Sequence, residues 1–224
     1  ASCQRLQVNS LDLLQLHCIP TEELRKGHVF DWLRKAKSDG MIQNFGASVE
    51  SVEEGLICLK QEGLTSLQVI FNIFRQKLVN ELFPQAQHQG VGIIVRLPLA
   101  SGLLTGKFSR NTTFPENDHR NYNRDGAAFN VGETFAGLPF EKGLELAEQI
   151  EKDYLPKDLS MVQLALRWIL DHEAVTTIIP GASSRKQARS NAEVTEILNL
   201  SPAVHKALQT FYHERVKEYI RGPY

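Results

Sequence analysis

Two hydrophobic periods alternate along this chain. Short apolar runs predict strands, and longer stretches with an apolar residue at every third or fourth position predict helices. The predicted strands are residues 11–20, 42–48, 67–74, 91–97 and 175–179. The predicted helices are residues 29–40, 51–63, 80–90 and 140–152, with three more that begin after Ser160, Ser184 and Ser201, and residues 1–8 resemble the end of a helix. Strands that follow one another at intervals of about 25 residues, with helices between them, predict an α/β fold with a parallel sheet.

Capping residues support these helices. Ser51 and Ser160 each begin a capping box with the acid or amide three residues later, and Asn80 is expected to cap the third helix. Pro202 follows Ser201 at the first position of the last helix, where proline is tolerated.

The bulk composition narrows the class of protein. The 224 residues carry a formal net charge of -1, which gives no reason to expect a nucleic acid or an anionic membrane as a partner. Three cysteines without metal-binding spacing (Cys3, Cys18 and Cys58) favour reduced thiols, a cytoplasmic location and no metal site. No apolar run has membrane-spanning length, and no linker is visible, so we expect a single domain over residues 1–224.

The first predicted strand ends in polar residues. In LDLLQLH, alternation places Leu11, Leu13, Gln15 and His17 on one face, and one side of the strand is expected to pack on the core. In a barrel of parallel strands, chemistry is carried out by side chains at the C-terminal strand ends. His17 is therefore either a candidate acid or electrophile, or a hydrogen-bonded histidine of the core.

The alternation stops between residues 107 and 139. This stretch is rich in asparagine, aspartate, glycine and arginine, and long aperiodic loops of this kind are either functional or disordered. Its scattered aromatic residues, among them Phe108, Phe114 and Phe135, favour an ordered segment that covers a site.

Two segments that directly follow predicted strands are suited to phosphate. Residues 98–107 (PLASGLLTGK) combine small residues, which let backbone amides approach an anion, with the charge of Lys107, although they do not have Walker spacing. Residues 181–191 (GASSRKQARSN) lead into a helix that Ser184 can cap, so that its positive end and Arg185 can face an anion. Such turns are common without a ligand, but two of them in one sheet with His17 favour a shared site.

In order and spacing, the runs LDLLQLH, IQNFGAS, VRLPLASGLLTGK and IIPGASS resemble the aldo-keto reductase family over essentially the whole chain. The resemblance implies a (β/α)8 TIM-type barrel, in which the predicted strands are the fourth to the eighth and the first three strand–helix units are absent from this chain. It also implies an NADPH-dependent oxidoreductase that reduces aldehydes or ketones to alcohols by hydride transfer.

The resemblance further implies a set of site residues. His17 matches the active-site histidine that polarises the substrate carbonyl, Ser48 matches the serine that holds the nicotinamide carboxamide, and Gln68 matches the glutamine beside it. Arg96 stands where the family usually has a tyrosine that stacks on the nicotinamide. The pyrophosphate loop is implied at Pro98, Leu99, Ser101, Gly102, Leu103 and Lys107, and the segment around the 2′-phosphate and the adenine at Gly181, Ser183, Ser184, Arg185, Gln187 and Asn191.

The family's proton donor is a tyrosine activated by a lysine and an aspartate, and none of these matches a residue of this chain. A phenol with a pKa near ~10 is a poor acid at neutral pH unless a neighbouring cation stabilises its anion. We therefore expect this chain alone to be incomplete as an enzyme. The alternative is a non-catalytic nicotinamide-binding regulatory or sensor protein, similar to potassium-channel β subunits, and an upstream aspartate, tyrosine and lysine would favour the enzyme.

Overall fold

The computed structural model describes residues Ala1–Tyr224. Its strands are β1 (Leu11–His17), β2 (Ile42–Ser48), β3 (Leu64–Ile70), β4 (Gly92–Arg96) and β5 (Val175–Ile178). Its helices are α1 (Ser2–Leu6), α2 (Thr21–Lys26), α3 (His28–Ser38), α4 (Val52–Leu59), α5 (Leu82–His88), α6 (His119–Tyr122), α7 (Phe140–Asp153), α8 (Met161–Leu170), α9 (Arg185–Glu193) and α10 (Pro202–Phe211). None of these helices has the length and apolar character needed to cross a bilayer.

The five strands follow one another in the sheet in the order β1-β2-β3-β4-β5. β1 pairs with β2, and β2 with β3, in parallel, with a register irregularity in β2 between Phe45 and Gly46. Parallel neighbours need a crossover connection, which the intervening helices provide. The predicted α/β fold with a parallel sheet is confirmed.

The chain divides into two compact units. Unit one comprises Ala1–Val69 and Leu78–Ile94, and unit two comprises Ile70–Lys77 and Val95–Tyr224. In unit one, helices α2 to α5 accompany β1 to β3, and Phe30, Phe45 and Leu67 are fully buried. Helix α4 can approach α5 closely because Gly55 has no side chain. A Cβ at this position would collide with the side chain of Leu82. The single domain over residues 1–224 stays a prediction.

β1 is less buried than the alternation predicted. None of its residues is fully buried, and Leu13 is 38 % exposed. The reason is position, since β1 is at one end of the strand order and pairs only with β2. His17 is exposed, so the interpretation as a core histidine is wrong.

The predicted third strand, 67–74, was placed too late. β3 begins at Leu64 and ends at Ile70, and Asn72 and Arg75 then form an isolated antiparallel bridge. Asn72 Oδ1 accepts from Phe74 N at 3.0 Å. Asparagine side chains compete with the strand ladder for backbone groups in this way, which accounts for the early end.

Helix starts were predicted well where a serine caps them. Ser51, Ser160, Ser184 and Ser201 each accept a backbone N–H of the first turn, and the Ser160–Gln163 capping box is complete. The prediction for Asn80 was wrong, because α5 begins at Leu82 and Asn80 ends a 3-10 turn, Lys77–Asn80. Helix α2 was missed, since its single buried residue, Leu24, produces no period.

The core of unit two is built around Trp168 of α8. The centroid of its indole lies 4.9 Å from the centroid of the Phe71 ring and 4.6 Å from that of the His172 ring. His172 Nδ1 donates to Trp168 O at 2.9 Å, and Asp171 accepts from Arg167 and pairs with His205 beside it. Burial lowers the pKa of His172 below its usual 6.5, and the nearby His205 lowers it further.

This lowered pKa predicts a loss of stability in acid. A base whose pKa is lower in the folded state stabilises the fold above its unfolded pKa, and this contribution is lost as the pH falls below about 6.5. The variant His172→Asn keeps a donor to Trp168 O but does not titrate. We expect it to reduce the slope of the free energy of unfolding against pH between about pH 7 and pH 5. Urea denaturation at several pH values measures it. The exposed His88→Asn variant is the control, and equal slopes in both variants would contradict the assignment.

Candidate functional site

The C-terminal ends of the first three strands carry a row of polar residues within unit one. In the parallel register, His17 pairs with Ser48, and Ser48 pairs with Gln68. Residues at one level of a parallel sheet share a face, so all three side chains lie on the same face. His17 is exposed, while Ser48 is 3 % exposed. The structure thus brings together His17, implied at the substrate carbonyl, with Ser48 and Gln68, implied at the nicotinamide carboxamide.

A second row of paired residues lies on the same face of the sheet, next to the first row. Gln15, Gly46 and Ser66 occupy the paired positions two residues earlier on β1, β2 and β3. Gln15 Nε2 donates to Ser66 Oγ at 3.2 Å, and Gln68 Nε2 donates to Gln15 Oε1 at 2.8 Å. The bond between Gln68 and Gln15 therefore connects the first row to the second.

Cys18 follows His17 and turns the chain away from the strand. Its φ of 47° lies in the left-handed region, and its Sγ lies 3.7 Å from Ser48 Oγ. Cys18 N also donates to Ser48 O at 3.0 Å. These contacts place Cys18 next to the predicted carboxamide serine, a position that the sequence analysis did not assign to it.

Arg96, at the end of β4, is buried in an ion pair of unit two. Its guanidinium donates to both carboxylate oxygens of Glu133, and the two side chains are 10 % and 21 % exposed. The sequence analysis missed Glu133. An arginine in a nearly continuous apolar strand requires a counter-charge, so Arg96 itself signalled a carboxylate, but nothing in the sequence indicated which one. The stacking role of Arg96 stays a prediction.

The predicted pyrophosphate loop is a tight left-handed turn. Ala100, Ser101 and Gly102 have φ values of 48°, 56° and 103°, inside a 3-10 segment, Ala100–Thr105. Pro98 and Leu103 are buried, Leu99 is partly buried, and Lys107 is exposed. Gly102 is needed here, because its φ is left-handed and a Cβ on it would lie 2.5 Å from Cζ of the Phe108 ring.

Residues 107–139 are ordered by their own side chains, as the aromatic residues predicted. The rings of Phe108 and Phe114 meet edge to face at 5.3 Å, and Phe114 meets Phe140 in the same way at 5.7 Å. Arg120 lies over Phe114 at 4.6 Å and Arg124 over Phe140 at 4.9 Å, which adds cation–π contacts. The long loop is therefore a packed segment, whose role as a cover stays a prediction.

This segment is joined to the predicted pyrophosphate loop by Ser101. Its Oγ donates to Glu133 O at 3.2 Å and accepts from Phe135 N at 3.1 Å. Ser101 and Arg96 therefore hold the same stretch of the long loop in place.

The predicted 2′-phosphate segment forms the exposed start of α9. Ser184 Oγ accepts from Gln187 N at 3.2 Å, while Gln187 Oε1 accepts from Ser183 N at 2.7 Å and from Ser183 Oγ. Asn191 donates to Gly181 O at 3.3 Å. The exposed Arg185 guanidinium stands at the first position of a capped helix, where an anion is favoured.

The two loops follow strands that are adjacent in the sheet order, β4 and β5. Ile179 N, just after β5, donates to Val95 O of β4 at 2.9 Å. A cavity of about 330 Å³ lies between α8, the end of β5 and α9, and Asn191 contributes to its lining. The predicted site residues thus form one group in unit one and two groups in unit two.

The family model described as "Aldo/keto reductase family" matches residues 1–213 of this chain. The chain belongs to the aldo/keto reductase family.

Two curated relatives align with most of the chain. The NADH-specific methylglyoxal reductase of Escherichia coli is 28 % identical over 91 % of this chain and 59 % of its own length. A probable voltage-gated potassium channel subunit beta of Arabidopsis thaliana is 25 % identical over 89 % of this chain and 61 % of its own. The chain thus spans about three fifths of the length of these curated relatives.

A solved structure of the family has a similar fold. The glycerol dehydrogenase of Gluconobacter oxydans superposes with a TM-score of 0.72 at 27 % identity and covers 100 % of this chain, which in turn covers 64 % of that chain. The α/β fold with a parallel sheet is therefore shared with a member of the aldo/keto reductase family.

Proposed function

We propose that this chain carries the nicotinamide-binding part of an NADPH-dependent oxidoreductase that reduces aldehydes or ketones to alcohols. The observation that carries the proposal is the row of His17, Ser48 and Gln68 at the ends of three adjacent parallel strands. Polar side chains at this edge of a parallel sheet are the usual location of a ligand site.

The donor set of the chain fits the cofactor. Ser48 and Gln68 offer a hydroxyl and an amide to a carboxamide, and the capped start of α9 with Arg185 offers positive potential to a 2′-phosphate. Residues 98–107 would hold the pyrophosphate, and the positive charge of Lys107 would attract it. NADPH, when bound, supplies the hydride that adds to the carbonyl carbon of the substrate, while a proton reaches the carbonyl oxygen.

His17 has the role of orienting and polarising the substrate carbonyl in this proposal. It is exposed at the end of β1, and an imidazole N–H can donate to a carbonyl oxygen that gains negative charge. The proton that the oxygen receives is assigned to no residue of this chain, because the family's tyrosine, lysine and aspartate have no match in it.

We further propose that β1 to β5 correspond to the fourth to eighth strands of an eight-stranded barrel, and that residues 1–224 belong to one domain. The chain order of the strands and the superposition on a family member support this proposal. A cytoplasmic location is also proposed, and the three free thiols, Cys3, Cys18 and Cys58, support it.

The intact protein is expected to bind NADPH and to oxidise it in the presence of an aromatic aldehyde. His17→Ala should leave NADPH binding unchanged and lower kcat/KM for the aldehyde by about 100-fold, as the loss of one donor to a developing oxyanion does. Absorbance of the reduced nicotinamide measures the rate, and fluorescence titration measures the binding. An unchanged kcat/KM would contradict the role of His17.

Cofactor choice is tested at Arg185. We expect Arg185→Ala to weaken NADPH binding by about 1–3 kcal/mol and to leave NADH binding almost unchanged, because a charge-assisted contact to the 2′-phosphate is lost. Lys186→Ala, at the next exposed position, is the matched control for total charge. Equal loss for both cofactors would favour a site that does not recognise the 2′-phosphate. The E. coli relative, which is NADH-specific, is a precedent for such a site.

The second candidate is a nicotinamide-binding regulatory or sensor protein. The similarity to a probable potassium channel subunit beta favours it. NADPH binding without oxidation by any carbonyl compound tested would support this alternative over the reductase.

A further inference from the structure

Gln15 reaches across a whole strand. It lies on β1, while its two partners, Ser66 and Gln68, lie on β3, with β2 between them. Neighbouring strands are about 4.8 Å apart, so β1 and β3 are separated by about 10 Å. A glutamine can bridge this distance only if the strand between them presents no side chain.

Gly46 of β2 provides that opening. It pairs with Gln15 on one side and with Ser66 on the other. A Cβ at Gly46 would lie 2.5 Å from Ser66 O, so even alanine does not fit. The glycine therefore leaves the space in which the Ser66 side chain lies, and Ser66 is one of the two partners of Gln15.

The Gln15 side chain uses both ends of its amide, the nitrogen as a donor and the oxygen as an acceptor. Its Nε2 donates to Ser66 Oγ at 3.2 Å, and its Oε1 accepts from Gln68 Nε2 at 2.8 Å. A glutamine amide has a donor end and an acceptor end, so this contact determines which way the Gln68 amide is turned. With its nitrogen held by Gln15, Gln68 offers its carbonyl oxygen to a ligand as an acceptor.

We propose that Gln15 is a positioning residue that turns the carbonyl oxygen of Gln68 towards the cofactor. This inference rests on the proposed function. An acceptor at this place favours a carboxamide, which has an N–H to donate, over a carboxylate, which has none. Gln15 thus makes the site select nicotinamide over nicotinic acid without touching either.

The test uses two substitutions of Gln15 and three ligands, with affinities from isothermal titration of the intact protein. The ligands are NADP⁺, its analogue with a carboxylate in place of the carboxamide, and adenosine 2′,5′-bisphosphate, which has no nicotinamide. Gln15→Leu should weaken NADP⁺ by about tenfold and reduce its preference over the carboxylate analogue. Binding of the bisphosphate should stay unchanged, which also shows that the variant is folded.

Gln15→Glu should rescue the affinity for NADP⁺ to within about threefold of the wild type. A carboxylate only accepts, so it keeps the Gln68 nitrogen turned towards residue 15. A merely structural loss would not be rescued in this way. Gln43→Leu, at an exposed position of β2, is the matched control and should change none of the three affinities.

Two results would overturn this proposal by itself, and a third would overturn it together with the proposed function. Equal NADP⁺ affinity in Gln15→Leu and the wild type would remove the positioning role and leave the proposed function intact. Lost NADP⁺ binding in Gln15→Glu, with the bisphosphate still bound, would mean that Gln68 is turned the other way. A wild-type protein that binds neither NADP⁺ nor the bisphosphate would overturn the proposed function together with this inference.

Discussion

Glu133→Gln is expected to lower the free energy of unfolding by about 3 kcal/mol, because a buried arginine then loses its countercharge. Arg96 and Glu133 are 10 % and 21 % exposed, so water screens their interaction only weakly. The peptide groups around Glu133 also bond to Ser101, so the loss should spread to the turn at residues 98–107. Urea denaturation measures the free energy.

Two further variants make this test specific. Glu116→Gln removes an exposed carboxylate from the same long loop and should change stability by less than about 0.5 kcal/mol. The double variant Arg96→Met with Glu133→Leu removes both charges and should cost less than Glu133→Gln alone. If the double variant is the less stable, the ion pair is not the source of the effect.

Gly46→Ala is expected to destabilise unit one by about 3 kcal/mol, near the upper end for overpacking. The added Cβ would meet the backbone oxygen of Ser66 at 2.5 Å, and a backbone atom of a paired strand can move only if β2 and β3 separate. The same shift should break the contact of Gln15 with Ser66 and thereby weaken NADPH binding.

The matched control for Gly46 is Gly181→Ala. A Cβ at Gly181 would meet nothing within 4 Å, and the backbone there has no left-handed φ. Its stability should be unchanged or slightly higher, because alanine restricts the unfolded chain. Equal stability of the two variants in thermal denaturation would contradict the close approach of β2 to β3.

Local sequence determined the elements and much of the site in unit one. The positions of the strands, the serine caps and the helix faces follow from interactions between residues at most four positions apart, and these are readable in the chain. His17 was predictable for a related reason, because it ends an apolar run and the ends of parallel strands lie at one edge of the sheet. Ser48 and Gln68 were implied only by the resemblance to the aldo-keto reductase family.

Tertiary structure alone decided the partners of these residues. Glu133 meets Arg96 across 37 positions, and Gln15 meets Gln68 across 53. Near the C-terminus, Arg221 donates to Gly137 O at 3.0 Å and to Asp125 at 2.8 Å, which connects the middle of the long loop to its C-terminal end. The hydrophobic period indicates which face of an element is buried, but it contains no information on which distant polar group will lie opposite. Such pairs are selected only when the packed backbone brings them within hydrogen-bond distance and excludes water from between them.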